Sequence, residues 1–175
     1  RVLSYWETMP FWTTFFRSLG YQVQISDKST RKIYESGLSA VTSDTVCFPA
    51  KLVHGHIRNL AEHHVDRIFM PTITTVSSEN TASTSESMCA IVKGYPIVIR
   101  NSDNPEKRFH IPFDAPLFHW YRMEDRNRQL AAYMKDTFDI SPDITKKAIE
   151  AADQAQASFE RQLKDAGEKV MQQVK

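Results

Sequence analysis

Leu19-Gly20-Tyr21-Gln22-Val23-Gln24-Ile25-Ser26 is the stretch on which the predicted architecture turns. From Tyr21 to Ser26 apolar and polar residues alternate strictly, the period of a strand with one face buried. Gly20, just before it, suits a helix end. Upstream, Pro10 suits the first helical position, where its missing N–H costs nothing, and Phe11, Phe15, Phe16 and Leu19 recur at helical spacing up to Gly20. Helix, glycine, strand is the ordinary step of an α/β domain.

Working outward, Ser29 is placed to cap a short helix through Ile33 and Tyr34 to Gly37, and a longer helix is predicted from about Pro49 through Leu52, Val53, Ile57 and Leu60. Asp66-Arg67-Ile68-Phe69-Met70-Pro71 reads as a short buried strand. Thr and Ser dominate from Thr72 to Ser87, which predicts a long mobile loop. Ala90-Ile91-Val92 and Ile97-Val98-Ile99 then flank a turn at Gly94-Tyr95-Pro96, and Phe109 to Phe113 reads as a further strand. This order predicts an α/β, Rossmann-like three-layer domain over residues 1–120 with a mostly parallel sheet.

A long helical segment follows over residues 121–175. Glu124 to Phe138 carries Leu130, Met134 and Phe138 at four-residue steps, and Ser141-Pro142 opens a second helix with cap and proline in the preferred order. Ile144, Ala148, Ala151, Ala155, Phe159, Leu163, Ala166 and Val170 form one apolar stripe along it. The sequence opens inside an apolar run at Arg1-Val2-Leu3 and closes inside a helical pattern, so both ends are expected to be cut from a larger protein.

Composition narrows the function classes. Lys and Arg total 22 against 21 for Asp and Glu, a formal charge of +1 that provides no basic field for nucleic acid. No apolar run approaches the roughly 18 residues that a membrane span needs, and the N-terminus has no export-signal pattern. Two cysteines among 175 residues exclude a disulfide framework and suit a reducing compartment. A soluble, cytoplasmic protein without a nucleic-acid or membrane partner is expected.

The segment richest in chemistry is Ser43-Asp44-Thr45-Val46-Cys47-Phe48-Pro49-Ala50-Lys51-Leu52-Val53-His54-Gly55-His56. Cys47, just before a helix, would feel the positive end of the helix dipole, which favours a thiolate as nucleophile or metal ligand. It would equally serve as a small packed side chain. His54 and His56, two apart on a helix, point about 200° away from each other and cannot share a metal there. Gly55 between them marks close packing on a neighbouring element. His63 and His64 suit the helix C-terminus, and Asp44 beside Ser43 suits a cap or turn. Cys89 follows the long loop, from where it could approach Cys47. No glycine-rich phosphate loop or nucleophile elbow is present, and no spacing among Glu7, Asp27, Asp44 and Asp114 singles out an acid/base pair.

The stretch from Ser43 to His56 resembles the signature of the uncharacterised domain of CoA-substrate-specific enzyme activases, which are related to the activators and the subunits of 2-hydroxyacyl-CoA dehydratases. Tyr5-Trp6-Glu7-Thr8-Met9-Pro10-Phe11-Trp12, Leu19-Gly20-Tyr21 with Ser26, and Cys89-Ala90-Ile91-Val92-Lys93-Gly94-Tyr95-Pro96 extend the resemblance over about residues 1–100. It implies a regulatory or interaction domain of an activase-like ATPase, not catalytic alone, whose partners are the ATPase module of its own polypeptide and a dehydratase-like protein. It also implies an iron-sulfur cluster, with Cys47 and Cys89 matching two family cysteines. The third place falls on Thr72, and a hydroxyl does not replace a thiolate on iron. The other readings are an iron-sulfur electron-transfer domain and a CoA-thioester or thiol enzyme using Cys47. Ser43, Asp44, Lys51, His54 and His56 are the further candidates.

Overall fold

In the computed structural model, which describes residues 1–75, 87–120 and 122–174, the first helix, α1, spans Tyr5–Ser18. Pro10 therefore lies inside it instead of opening it. The i,i+4 pair that brackets this proline, Glu7 and Phe11, is bridged from outside: Gln156 donates to the Glu7 carbonyl at 2.7 Å and accepts from the Phe11 N–H at 3.3 Å. A buried side-chain amide thus reinforces the ladder where proline weakens it. The C-terminus of α1 is a Schellman turn. Gly20 takes a left-handed φ of 87°, Tyr21 N–H reaches Phe16 C=O, Gly20 N–H reaches Arg17 C=O, and the Tyr21 ring meets the Phe16 ring edge-on.

Tyr21–Ser26 does not become a strand. Val23 and Ile25 turn half inward and Gln22 and Gln24 outward, as the alternation requires, but among the described residues no backbone hydrogen bond reaches 22–26. Helix α2 (Arg31–Gly37) follows, capped by Thr30 rather than Ser29 through a bond from Ile33 N–H. Helix α3 (Phe48–Glu62) has Cys47 as its N-cap residue. The two pack backbone to backbone, because a Cβ on Gly37 would fall 2.3 Å from Gly55 N and one on Gly55 1.9 Å from Ile33 O. Gly55 thus plays the close-packing role its place in the sequence suggests.

The strand predicted over Asp66–Pro71 survives only as β1 (Ile68–Phe69), and a second fragment, β2 (Thr72–Ile73), follows Pro71. Thr72–Ile73 is therefore ordered, although it stands in the segment expected as a loop, and Thr75 bridges to Ser87. The rest of that loop, 76–86, lies outside the described residues. Ala90–Ser102, read as two strands about a turn, is a single helix, α4, which buries Tyr95, Pro96 and Ile99 on one side. Short apolar runs do not distinguish strand from buried helix, and Val92, Tyr95, Pro96 and Ile99 also satisfy a helical period.

Helix α5 (Pro105–Phe109) takes the start of the predicted 109–113 strand. Only Phe113–Asp114 (β3) and Leu117–Phe118 (β4) are extended, pairing in parallel with β1 and β2 respectively. The Rossmann-like three-layer expectation is thereby overturned: the described chain is mostly helical, with two short two-stranded parallel ladders in place of a sheet covered on both faces. Proline accounts for part of the difference, since Pro71 and Pro116 sit between the paired fragments and neither can donate to a ladder.

Helices α6 (Met123–Phe138) and α7 (Pro142–Gln173) agree with the sequence, and Ser141 caps α7 through a bond from Ile144 N–H. The buried face of α7 is Thr145, Ala148, Ile149, Ala152 and Gln156, while Ile144, Leu163 and Val170 of the expected stripe are exposed. Two apolar clusters result. Phe11, Trp12 and Phe15 of α1 meet Phe118, Leu130, Met134 and Ala152, whereas Val53 and Ile57 of α3 meet Ile68, Tyr95, Ile99 and Phe113. Arg126, only 3% exposed, lies over the Phe11 and Trp120 rings and pairs with Asp153 at 2.8 Å. No helix of the described residues is long and apolar enough to cross a membrane.

Candidate functional site

Cys47 and Cys89 occupy the same structural position on two different helices: each is the N-cap residue, of α3 and of α4, and each is exposed. A cysteine there leaves the first helical N–H groups pointing at sulfur, which stabilises thiolate. At Cys89 the amides of Val92 and Ile91 face the sulfur and hold the thiol below its usual range, with Lys93 adding to the effect. Neither contact has the geometry of a full capping hydrogen bond.

A cleft of about 260 Å³ lies between the segment that leads into α3, through Thr42, Ser43, Thr45 and Val46, and Ala90, Ile91 and Tyr95 of α4; neither cysteine is among its lining residues. Ser43 Oγ and Thr45 Oγ1 bond to each other at 2.9 Å on its wall. Asp44 lies in the turn between them, and its carbonyl accepts from Lys51 Nζ at 2.8 Å, so Asp44 and Lys51 brace the turn that presents Cys47. Phe48 and Ile91, the residues after Val46-Cys47 and Cys89-Ala90, are large and exposed. Two thiols are therefore flanked by apolar surface.

His54 is not at this surface. It is fully buried and joins α3 to α4: Nδ1 lies 2.7 Å from Asp103 Oδ2 and Nε2 lies 3.0 Å from Tyr95 OH. Arg58 stands 3.6 Å from the same carboxylate oxygen, and Arg108 Nε lies 2.8 Å from the other in an orientation that gives an ion pair but no hydrogen bond. Burial, then the charges of Cys47 and Asp103, push the Tyr95 hydroxyl up. The cleft and this polar chain are thus electrostatically connected through Tyr95. Neither Tyr95 nor Asp103 stands out in the sequence, because 41 and 49 positions separate them from His54.

His56 points away from His54, as the helical spacing requires, and contacts Ser29 Oγ at 2.9 Å. Its burial is the main reason its pKa falls to about 4, with nearby positive charge contributing. His63 contacts Asp27 at 3.3 Å, and His64 adopts a left-handed φ of 53° just past α3.

Thr72, in the third cysteine's place, is buried in β2. Among the described residues no group of three or more His, Cys, Asp or Glu side chains converges as a metal site. Iron-sulfur clusters take about four protein donors. Two cysteines and a threonine hydroxyl do not make that set, so the side chains of this chain do not by themselves fit a cluster.

A family model described as "CoA enzyme activase uncharacterised domain" matches residues 1–175. No curated protein and no solved structure matches the chain at a significant level.

Proposed function

Because the chain belongs to the family of the CoA enzyme activase uncharacterised domain, we propose that it is a regulatory or interaction domain of an activase-like ATPase serving 2-hydroxyacyl-CoA dehydratase-type chemistry, and that it is not catalytic alone. The observation that supports this reading is that the two helices whose N-cap residues are the exposed Cys47 and Cys89 each also expose a large apolar side chain in the first turn, Phe48 and Ile91. Large apolar side chains exposed on a surface are common at contact sites. The His54–Asp103–Tyr95 chain ties together α3 and α4, the two helices that carry these residues.

The partner in this reading is the ATPase module of the same polypeptide. Phe48→Glu and Ile91→Glu should each weaken its binding to the separately expressed module at least about tenfold by calorimetry, the loss expected of a central interface residue. Their circular dichroism and thermal midpoints should match the parent. Unchanged affinity in both variants would overturn the proposal. A cytoplasmic site of action accords with two free cysteines.

The two exposed cysteines, with the Cys89 thiol held below its usual range, give the iron-sulfur alternative its one specific support, and it requires donors from outside this chain. Anaerobic reconstitution of the isolated domain decides it: iron uptake with broad absorbance near 400 nm would favour a cluster.

A further inference from the structure

The buried and the exposed parts of α7 belong to one seam. Thr145, Ile149, Ala152 and Gln156 are buried, and α7 packs chiefly on α1 and α6. Their steps alternate between four and three residues, and Phe159, Leu163, Ala166 and Val170 carry the same alternation onward. This is a heptad repeat, with a positions at 149, 156, 163 and 170 and d positions at 145, 152, 159 and 166. Phe159 is half-buried, and beyond it the seam is bare, with Leu163 62% and Val170 57% exposed. Every residue from Glu160 to Val174 is exposed. A free helix of that length is marginal in water, and Gly167 within it weakens it further.

The outer half of α7 is complementary to itself read backwards. Its charged residues are Glu160, Arg161, Lys164, Asp165, Glu168 and Lys169. A two-fold axis between Lys164 and Asp165 brings Glu160 level with Lys169 of a second copy, Arg161 with Glu168, and Lys164 with Asp165. The signs are opposite in every case. The same axis fixes the apolar layers: Leu163 comes level with Ala166 and Phe159 with Val170, each time an a residue with a d residue and a large side chain with a smaller one. Parallel pairing in register would instead set every charge level with its own copy. It would also crowd together the two α1 helices, each of which is bonded to Gln156 on the inner seam.

We propose that the outer half of α7 is a self-association surface, on which a second copy of the chain lies antiparallel about an axis between Lys164 and Asp165. The pairing runs from Gln156 to Gln173, about 27 Å of helix in each copy. It continues the seam that α1 covers further in. The six charges set direction and register, and Phe159, Leu163, Ala166 and Val170 supply the contact. This inference is independent of the role proposed for the cysteine-bearing helices.

Sedimentation equilibrium of the whole chain should give a mass that rises with concentration toward that of a dimer. Leu163→Glu should weaken the association at least about tenfold. The thermal midpoint of the dilute protein should not change, because Leu163 lies outside both apolar clusters. Direction is read from spin labels on single cysteines introduced by Lys164→Cys or Gln172→Cys, in a Cys47→Ser, Cys89→Ser background. Residue 172 of one copy lies level with Ala157 of the other, so two labels at 172 stand about 22 Å apart along the axis, against about 2 Å for two labels at 164. The distance at 172 should therefore exceed that at 164 by at least about 10 Å. A mass that stays monomeric at every concentration would overturn the inference, whether another partner covers the seam or none does. Association untouched by Leu163→Glu would do the same, as would equal distances at the two labelled positions, the mark of a parallel pair.

Discussion

Replacing Gly55 by alanine sets two known effects against each other. Gly55 lies in the interior of α3, and alanine there favours the helix by about 1 kcal/mol. Its Cβ, however, would stand 1.9 Å from Ile33 O and 2.7 Å from the Ile33 carbonyl carbon. Those are backbone atoms of α2 and cannot rotate aside as a side chain would. The helices must separate, which opens the α2–α3 contact along its length. Overpacking of this kind costs about 1–3 kcal/mol, with rigid contacts at the upper end, so a net loss of about 2 kcal/mol is expected. For a chain of this size that is a fall of about 4–8 °C in thermal midpoint. Urea unfolding should show a lower midpoint concentration with an unchanged slope. Gly37→Ala meets the same contact from the other side, where its Cβ would fall 2.3 Å from Gly55 N. One separation relieves both, so the double variant should lose less than the sum of the singles. A Gly55→Ala protein as stable as the parent, or more so, would refute the close-crossing argument.

Two further outcomes concern titration. The unfolded chain takes up a proton at His56 near pH 6.5, whereas the folded protein resists protonation until about 4. The stabilising contribution of neutral His56 is therefore complete above about 6.5 and is lost as the pH falls toward 4. His56→Gln should flatten the decline of the urea midpoint across that window, and an identical decline in both proteins would contradict the assignment. Cys89, held below its ordinary range by the amides of Val92 and Ile91, should react with iodoacetamide at lower pH in the folded protein than in the same chain unfolded in urea. The Cys47→Ser background isolates this signal, and coincident pH profiles would rule out the helix-terminus effect.

The helices with long apolar periods and explicit caps were legible from sequence. Ser141-Pro142 marks the start of α7, and Leu130, Met134 and Phe138 lie along α6 with Leu130 and Met134 fully buried. Gly20 and Gly55 likewise announced a helix end and a close crossing. The strands were not legible, for a physical reason: alternation records which way side chains face, and Tyr21–Ser26 keeps that alternation without any ladder. A strand also needs a neighbour's peptide groups, which local pattern does not encode. α4 misled in the opposite sense, because Gly94 and Pro96 read as a turn while the burial of Tyr95, Pro96 and Ile99 on one face stabilises a helix through them. At the candidate site, the two helix-capping cysteines were visible as residues before helical or apolar stretches. The His54–Asp103–Tyr95 chain was hidden, because only tertiary packing joins α3 to the far end of α4.

The amide of Gln156 that bridges Glu7 and Phe11 ties α7 to α1 near the middle of both helices. Beyond it, α7 continues, and its residues from Glu160 to Val174 are all exposed. At 1.5 Å per residue this outer part is an arm of about 22 Å. The Gln156 amide that supports α1 beside Pro10 thus also stands near the root of this projecting arm.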